Sequence, residues 1–156
     1  MFGLFESPPF ADPQLGAFRR SRGRWRGTVP LGDAAVPLVL GGSREAPDAE
    51  ALTLARTIPA AFPAWRADLA QALFEHYEPY AESVAAGEAE GSGTPGVGAP
   101  AAVWPHAHAE YVQVAPLDGA LTIEIGYRVD WDEEHTLGAR VREGRLIELN
   151  GSVLRP

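Results

Sequence analysis

Apolar and polar residues alternate strictly towards the end of the chain. Leu121, Ile123, Ile125, Tyr127, Val129 and Trp131 take every second position, with Thr122, Glu124, Gly126, Arg128 and Asp130 between them. Period two with β-branched and aromatic side chains on one face predicts a half-buried strand; a helix would scatter those side chains around its axis. Shorter alternations predict strands at Thr136–Arg142 and Leu146–Asn150, joined at Glu143-Gly144. A two-residue loop there would set Val141 opposite Leu146 and leave Ile147 and Leu149 outside. Pairing Val141 with Ile147, through a three-residue loop or a bulge at Gly144, is the expected register.

Upstream, the same reading places strands near Leu15–Ser21, Arg24–Leu31 and Val36–Leu40, with turns at Gly23 and Gly32-Asp33. Residues 1–14 are rich in Pro and are expected to form an extended arm, packed by Phe2, Leu4, Phe5 or Phe10. The period then changes to three and four. Leu52, Leu54, Ala55 and Ile58 predict a helix beginning at Pro47, with Asp48 and Glu50 in its first turn, and ending before Pro59. Trp65, Leu69, Leu73, Tyr77, Tyr80 and Val84 predict a second helix from about Pro63, kinked or split at Pro79 and stopped at Gly87. Residues 87–103 are low in complexity (Gly, Ala, Pro) and are expected to be a flexible connection, before a strand near Ala109–Ala115.

These elements sum to one α+β domain over residues 1–156. It is a twisted antiparallel sheet of about six to seven strands, in the order β-β-β-α-α-β-β-β-β, with two central helices packed on one face. The length allows a sizeable core, and no apolar run approaches the roughly 20 residues of a membrane helix. The start lacks the basic and apolar regions of a secretory signal. Cysteine is absent, which removes disulfides, zinc–thiolate sites and thiol chemistry. The cytoplasm is therefore the expected compartment.

Net charge is −8, which disfavours nucleic-acid and membrane surfaces as partners. All 13 basic residues are Arg, as expected of a GC-rich genome. Five of them, Arg19, Arg20, Arg22, Arg24 and Arg26, crowd one segment around Trp25. That patch could touch phosphates, but a hairpin with its arginines on the wet face, pairing with carboxylates elsewhere, is the favoured reading.

Two clusters could carry chemistry. Trp131, Asp132, Glu133, Glu134 and His135 fall between two predicted strands, and are the expected binding residues. Glu134 and His135 are the candidates for acid–base catalysis, since a carboxylate beside an imidazole can orient it. The plainer reading is acidic residues satisfying backbone donors at a hairpin end. His106 and His108 alternate at the head of a strand with Glu110 on the same face, so they could ligate a metal, most interestingly with His135 beside them. Solvated histidines are favoured over ligands, and no metal or cofactor is expected. His76 reads as a boundary residue on its helix. No serine has the G-x-S-x-G setting, and no phosphate-cradling Gly loop is present.

Trp131, Asp132, Glu134, His135, Gly138 and Gly144 form a W-D-E-E-H-x-L-G hairpin signature. It resembles the C-terminal signature of uncharacterised bacterial domain-of-unknown-function families, and Trp25, Gly27 and Val29 fit the same pattern. The resemblance implies the fold and a bacterial origin, and no activity. Small acidic domains of this kind resemble immunity proteins that neutralise toxins. Three functions stand against each other. The expected one is a non-enzymatic domain that binds a protein partner, immunity-like in kind. The alternative is a metal-dependent or acid–base hydrolase using Asp132, Glu133, Glu134 and His135. The third is a nucleic-acid module built on the arginine hairpin.

Overall fold

The computed structural model describes residues 6–88 and 94–156. Phe2, Leu4 and Phe5, expected to pack the arm, and residues 89–93 of the low-complexity segment lie outside the described residues. The fold is mixed α+β. Strands β1 (Phe10–Asp12), β2 (Gly16–Ser21), β3 (Arg24–Leu31) and β4 (Ala34–Leu40) precede helix α1 (Ala49–Ala85). Two short 3-10 turns, Pro100–Ala102 and Trp104–His106, lead into β5 (Ala107–Leu117), β6 (Ala120–Val129), β7 (Asp132–Arg142) and β8 (Arg145–Asn150). The eight strands form one sheet in chain order.

Three expectations need correction. Among the described residues the sheet has eight strands rather than six or seven, because Phe10–Asp12 adds a short edge strand. It is not wholly antiparallel: β4 and β5 run parallel, as they must when a helical crossover returns the chain in the same direction. One helix replaces two. Leu52, Ala55, Ile58, Phe62, Trp65, Leu69, Leu73 and Tyr77 are all buried, in an unbroken three-and-four stripe that passes Pro59 and Pro63 without a phase shift. Each proline costs about 3 kcal/mol in a helix interior, while each buried side chain of that stripe returns roughly 1.5–3 kcal/mol. Burial wins, and Pro63 and Pro79 lie exposed on the outer side. Replacing Pro79 by Ala should therefore raise stability, by up to about 3 kcal/mol. The check is the urea midpoint; an unchanged or lower midpoint would show that Pro79 sits at a break rather than inside one helix.

The helix begins two residues later than expected. Asp48 is the cap, its Oδ2 accepting the Ala51 N–H at 2.9 Å, and Pro47 stays outside. Gly87 ends it as expected: at φ 73° it lets Gly87 N–H reach the Val84 carbonyl and Glu88 N–H reach that of Ser83. Among the described residues no helix is long and apolar enough to cross a membrane.

The chain forms two compact units. The first comprises the residues up to Pro63, Tyr111–Glu124 and Pro156; the second comprises Ala64–Glu110 and Ile125–Arg155. In the first, Trp25, Val29 and Leu31 share a buried face with Val36, Leu38 and Leu40, their register partners or near neighbours on β4. Gly27 is obligatory there, since a Cβ would stand 2.8 Å from the Phe18 ring. Tyr111 donates to the buried Glu124 carboxylate at 2.7 Å. Glu124, expected on the wet face of its strand, is thus inside. At the edge, Asp12 is buried and accepts N–H bonds from Gln14 and Leu15 on Oδ2, while Arg56 of α1 donates to Oδ1.

In the second unit, Trp65, Leu69, Leu73 and Tyr77 of α1 are buried, as are Ile125, Tyr127, Val129, Leu137, Ala139 and Val141 of the strands. Residues 94–103 fall within the stretch read as a flexible connection. Val97 and Val103 there are buried, and the Tyr77 hydroxyl donates to the Pro95 carbonyl and accepts from Val97 N–H. The expected Val141–Ile147 register does not occur. Glu143 and Gly144 both have positive φ, the two-residue turn whose twist matches a hairpin, so Val141 faces Leu146. The bulge comes one step later, between Arg140 and Val141, restoring Ala139 opposite Leu149 and leaving Ile147 exposed.

Candidate functional site

The W-D-E-E-H cluster starts at Trp131, in the turn Asp130-Trp131, and its last four residues open β7. Its side chains divide between inside and outside. Trp131 and Asp132 are buried; Glu133, Glu134 and His135 are exposed. Trp131, expected to contact a partner, instead meets the Tyr77 ring edge-on at 5.5 Å and donates its indole N–H to His76 Nδ1 at 3.0 Å.

Asp132 is the centre of the arrangement. Its carboxylate accepts the Tyr80 hydroxyl at 2.6 Å and the backbone N–H groups of Glu134 and His135 at 3.1 and 3.2 Å. The His135 ring holds Nδ1 at 3.0 Å from Oδ2. Burial alone would push the Asp132 carboxyl up, but the bonds from Tyr80, His135 and the backbone outweigh it and hold it below the usual carboxylate range. Tyr80 responds in the opposite direction, pushed up to about 12 by burial, its bond to Asp132, and the charges of Asp132 and Glu134. It therefore remains a hydroxyl donor at any physiological pH.

His76 and Tyr80 are four residues apart on α1, so both project onto the same patch, with their rings 5.5 Å apart. Burial lowers the His76 pKa; the Asp132 charge works against this and His135 adds to it. The unfolded chain thus takes up a proton first on acidification. Stability from His76 is complete above its unfolded value of about 6.5 and declines as pH falls below that, until the folded imidazole titrates and Trp131 loses its acceptor. Urea unfolding followed by tryptophan fluorescence should show this decline between neutral and mildly acidic pH. His76→Phe should remove that part of the slope; an unaltered slope in the variant would contradict the assignment.

A second polar network adjoins the turn. Asp130 accepts from both histidines of the H-x-H pair, His106 Nδ1 and His108 Nε2 each lying 3.1 Å from one of its oxygens. Burial raises the Asp130 pKa, yet the two histidines outweigh it and hold it low. Arg128 stands 3.5 Å from Asp130 and 3.7 Å from Glu110, which also binds Arg155 at 2.8 Å. The two histidines therefore converge as their spacing allowed, but on a carboxylate. Glu110, expected to join them, is held by arginines, and His135 is held by Asp132. Among the described residues, no three His, Cys, Asp or Glu side chains are grouped so as to hold a metal ion.

Two open clefts border these networks. One of about 690 Å³ is lined by His106, Arg128, Asp130 and Glu133 among others; the second, about 420 Å³, by Tyr80, Asp132, Glu133, Glu134 and His135. Both include Thr94, Asp130 and Glu133. Polar residues unsuspected from sequence thus complete the site: Tyr80, and Asp130 as a bridge. The spacing of His76 and Tyr80, two polar rings one turn apart beside an apolar stripe, was the available signal.

The family model described as a domain of unknown function, DUF6985, matches residues 14–153. The chain belongs to that family. The DUF6985 match takes in every residue of both polar networks except Arg155. No curated protein and no solved structure matches the chain.

Proposed function

We propose that this DUF6985 domain is a non-enzymatic protein-binding domain of the bacterial cytoplasm, immunity-like in kind, whose contact surface is the start of β7. The observation that carries the reading is how the Asp132 carboxylate is used. Four donors occupy it, all from the protein itself, so it serves to fix the backbone of residues 132–135. What that rigid segment presents outward is Glu133, Glu134 and His135. Preorganised carboxylates beside open clefts suit a partner with a basic face, because little ordering entropy is lost when they bind. The absence of cysteine suits a reducing compartment.

One observation favours a second reading. With Nδ1 held by Asp132, the half-exposed His135 ring has Nε2 left for other work, the arrangement of a general base. Glu134 could act with it, and an acid–base hydrolase would need nothing else from the cluster. The test is a photo-crosslinking side chain in place of Glu134. The binding reading expects a discrete protein adduct, identified by mass spectrometry, whose partner then binds the purified chain. Substrate turnover by the purified chain that His135→Gln abolishes would overturn it.

A further inference from the structure

The arginine hairpin of β2 and β3 gains an explanation from its register. Arg19 pairs with Arg26 and Ser21 with Arg24, so Arg19, Arg24 and Arg26 share one face of the ribbon, while Arg20 shares the other with the buried Trp25. Arg22, at φ 55°, begins the turn. Two arginines directly opposite across a ladder place like charges about 5 Å apart at Cβ, an arrangement that costs stability. The chain holds 21 acidic residues, so neutralising partners are plentiful in sequence. The expectation was that these arginines pair with carboxylates elsewhere. Among the described residues none of the five does: the arginine ion pairs seen at Arg56, Arg128, Arg140 and Arg155 all lie outside the ribbon. Arg26 reaches only the carbonyls of Ser21 and Pro156.

Among the described residues the ribbon also keeps an unpaired backbone edge. The ladder between β1 and β2 stops at Phe10–Phe18, and the residues before Phe10 are Pro8 and Pro9, which have no N–H to extend it. Among the described residues, Arg19–Ser21 of β2 are therefore paired only on their β3 side. We infer that this ribbon is a docking surface for an extended, carboxylate-rich segment of a partner protein. Guanidinium forks bind carboxylates with two parallel bonds, and an open strand edge accepts an extended chain. A nucleic acid fits less well. Trp25 and Phe18 are fully buried, so they offer bases no stacking surface, and outside these five positive charges the chain carries −13, which repels a long polyanion. This surface lies in the first unit and stands apart from the reading of β7.

Fluorescence anisotropy with labelled decaglutamate, and separately with a short mixed-sequence DNA duplex, tests the inference on the full chain. Arg19→Gln/Arg24→Gln changes two exposed ribbon residues; Arg44→Gln/Arg145→Gln makes the same charge change at exposed positions elsewhere. The inference expects the peptide to bind, the ribbon variant to lose about tenfold or more in affinity, and the control to stay within about twofold. Melting curves establish that both variants are folded. Absence of peptide binding, equal losses in the two variants, or tighter binding of the duplex would each overturn it.

Discussion

Asp132→Ala should cost about 3 kcal/mol, as much as truncating a large core side chain. The estimate follows from what the carboxylate holds. It is buried, and its removal strands the Tyr80 hydroxyl and two backbone N–H groups while releasing the His135 ring. Each lost bond is worth about 1 kcal/mol net, more where the acceptor is charged, and partial rehydration at the cleft returns some of the sum. Asp132→Asn keeps one acceptor oxygen and should lose about half as much. Tyr80→Phe, which removes a single donor, should lose less still. Urea unfolding of the three variants gives the order directly. An Asp132→Ala variant as stable as the parent would mean that the carboxylate is not structural and is held ready for something else.

Arg56→Ala should be nearly as costly and should carry a distinctive pH dependence. Asp12 is held below the usual carboxylate range chiefly by the Arg56 hydrogen bond, against the cost of burial, with help from the Leu15 and Gln14 N–H groups. Its contribution is present above the unfolded value of about 3.8 and is lost as pH falls through the lower folded value. Removing Arg56 leaves a buried carboxylate with only backbone donors. A fully buried pair broken this way loses about 3–5 kcal/mol, and because the Arg56 side chain is 39% exposed we expect roughly 2–3 kcal/mol at neutral pH. The penalty should shrink on acidification towards pH about 4, where the stranded Asp12 can take up a proton. Adding Asp12→Asn to Arg56→Ala should recover part of the loss at neutral pH. A penalty independent of pH and unaffected by Asp12→Asn would place the cost in lost packing of the Arg56 stem instead.

The alternation from Leu121 to Trp131 and the turns at Gly23, Gly32 and Gly144 were readable because strand period and positive φ are local properties. Arg24–Leu31 is a strand over the expected residues for the same reason. The single helix was not readable locally. Pro59, Pro63 and Pro79 argue for breaks residue by residue, and only the burial of the whole stripe outweighs them. The hairpin at Glu143-Gly144 shows the reverse. Keeping Ile147 on the apolar face argued for one register, and the twist preference of a two-residue turn selected the other, at the expense of an exposed Ile147. Wet and buried carboxylates also look alike in sequence. Asp12, Glu124 and Asp132 are inside because Arg56, Tyr111 and Tyr80 reach them from residues 44, 13 and 52 positions away. No local pattern encodes such pairings. The alternate spacing of His106 and His108 allows them to meet on Asp130, but Asp130 carries no mark in the sequence that separates it from its acidic neighbours.

The proposed function stands on a division of labour within four consecutive residues: Asp132 holds the backbone, and Glu133 and Glu134 meet the partner. The direct test is the affinity of the crosslinked partner, by calorimetry, for Glu133→Arg/Glu134→Arg, beside the melting temperature of that variant. Affinity should fall by about a hundredfold or more, since each exposed carboxylate replaced by a guanidinium turns attraction into repulsion, while the melting temperature stays close to the parent's. Undiminished binding by a variant that remains folded would contradict the assignment of this surface to partner recognition.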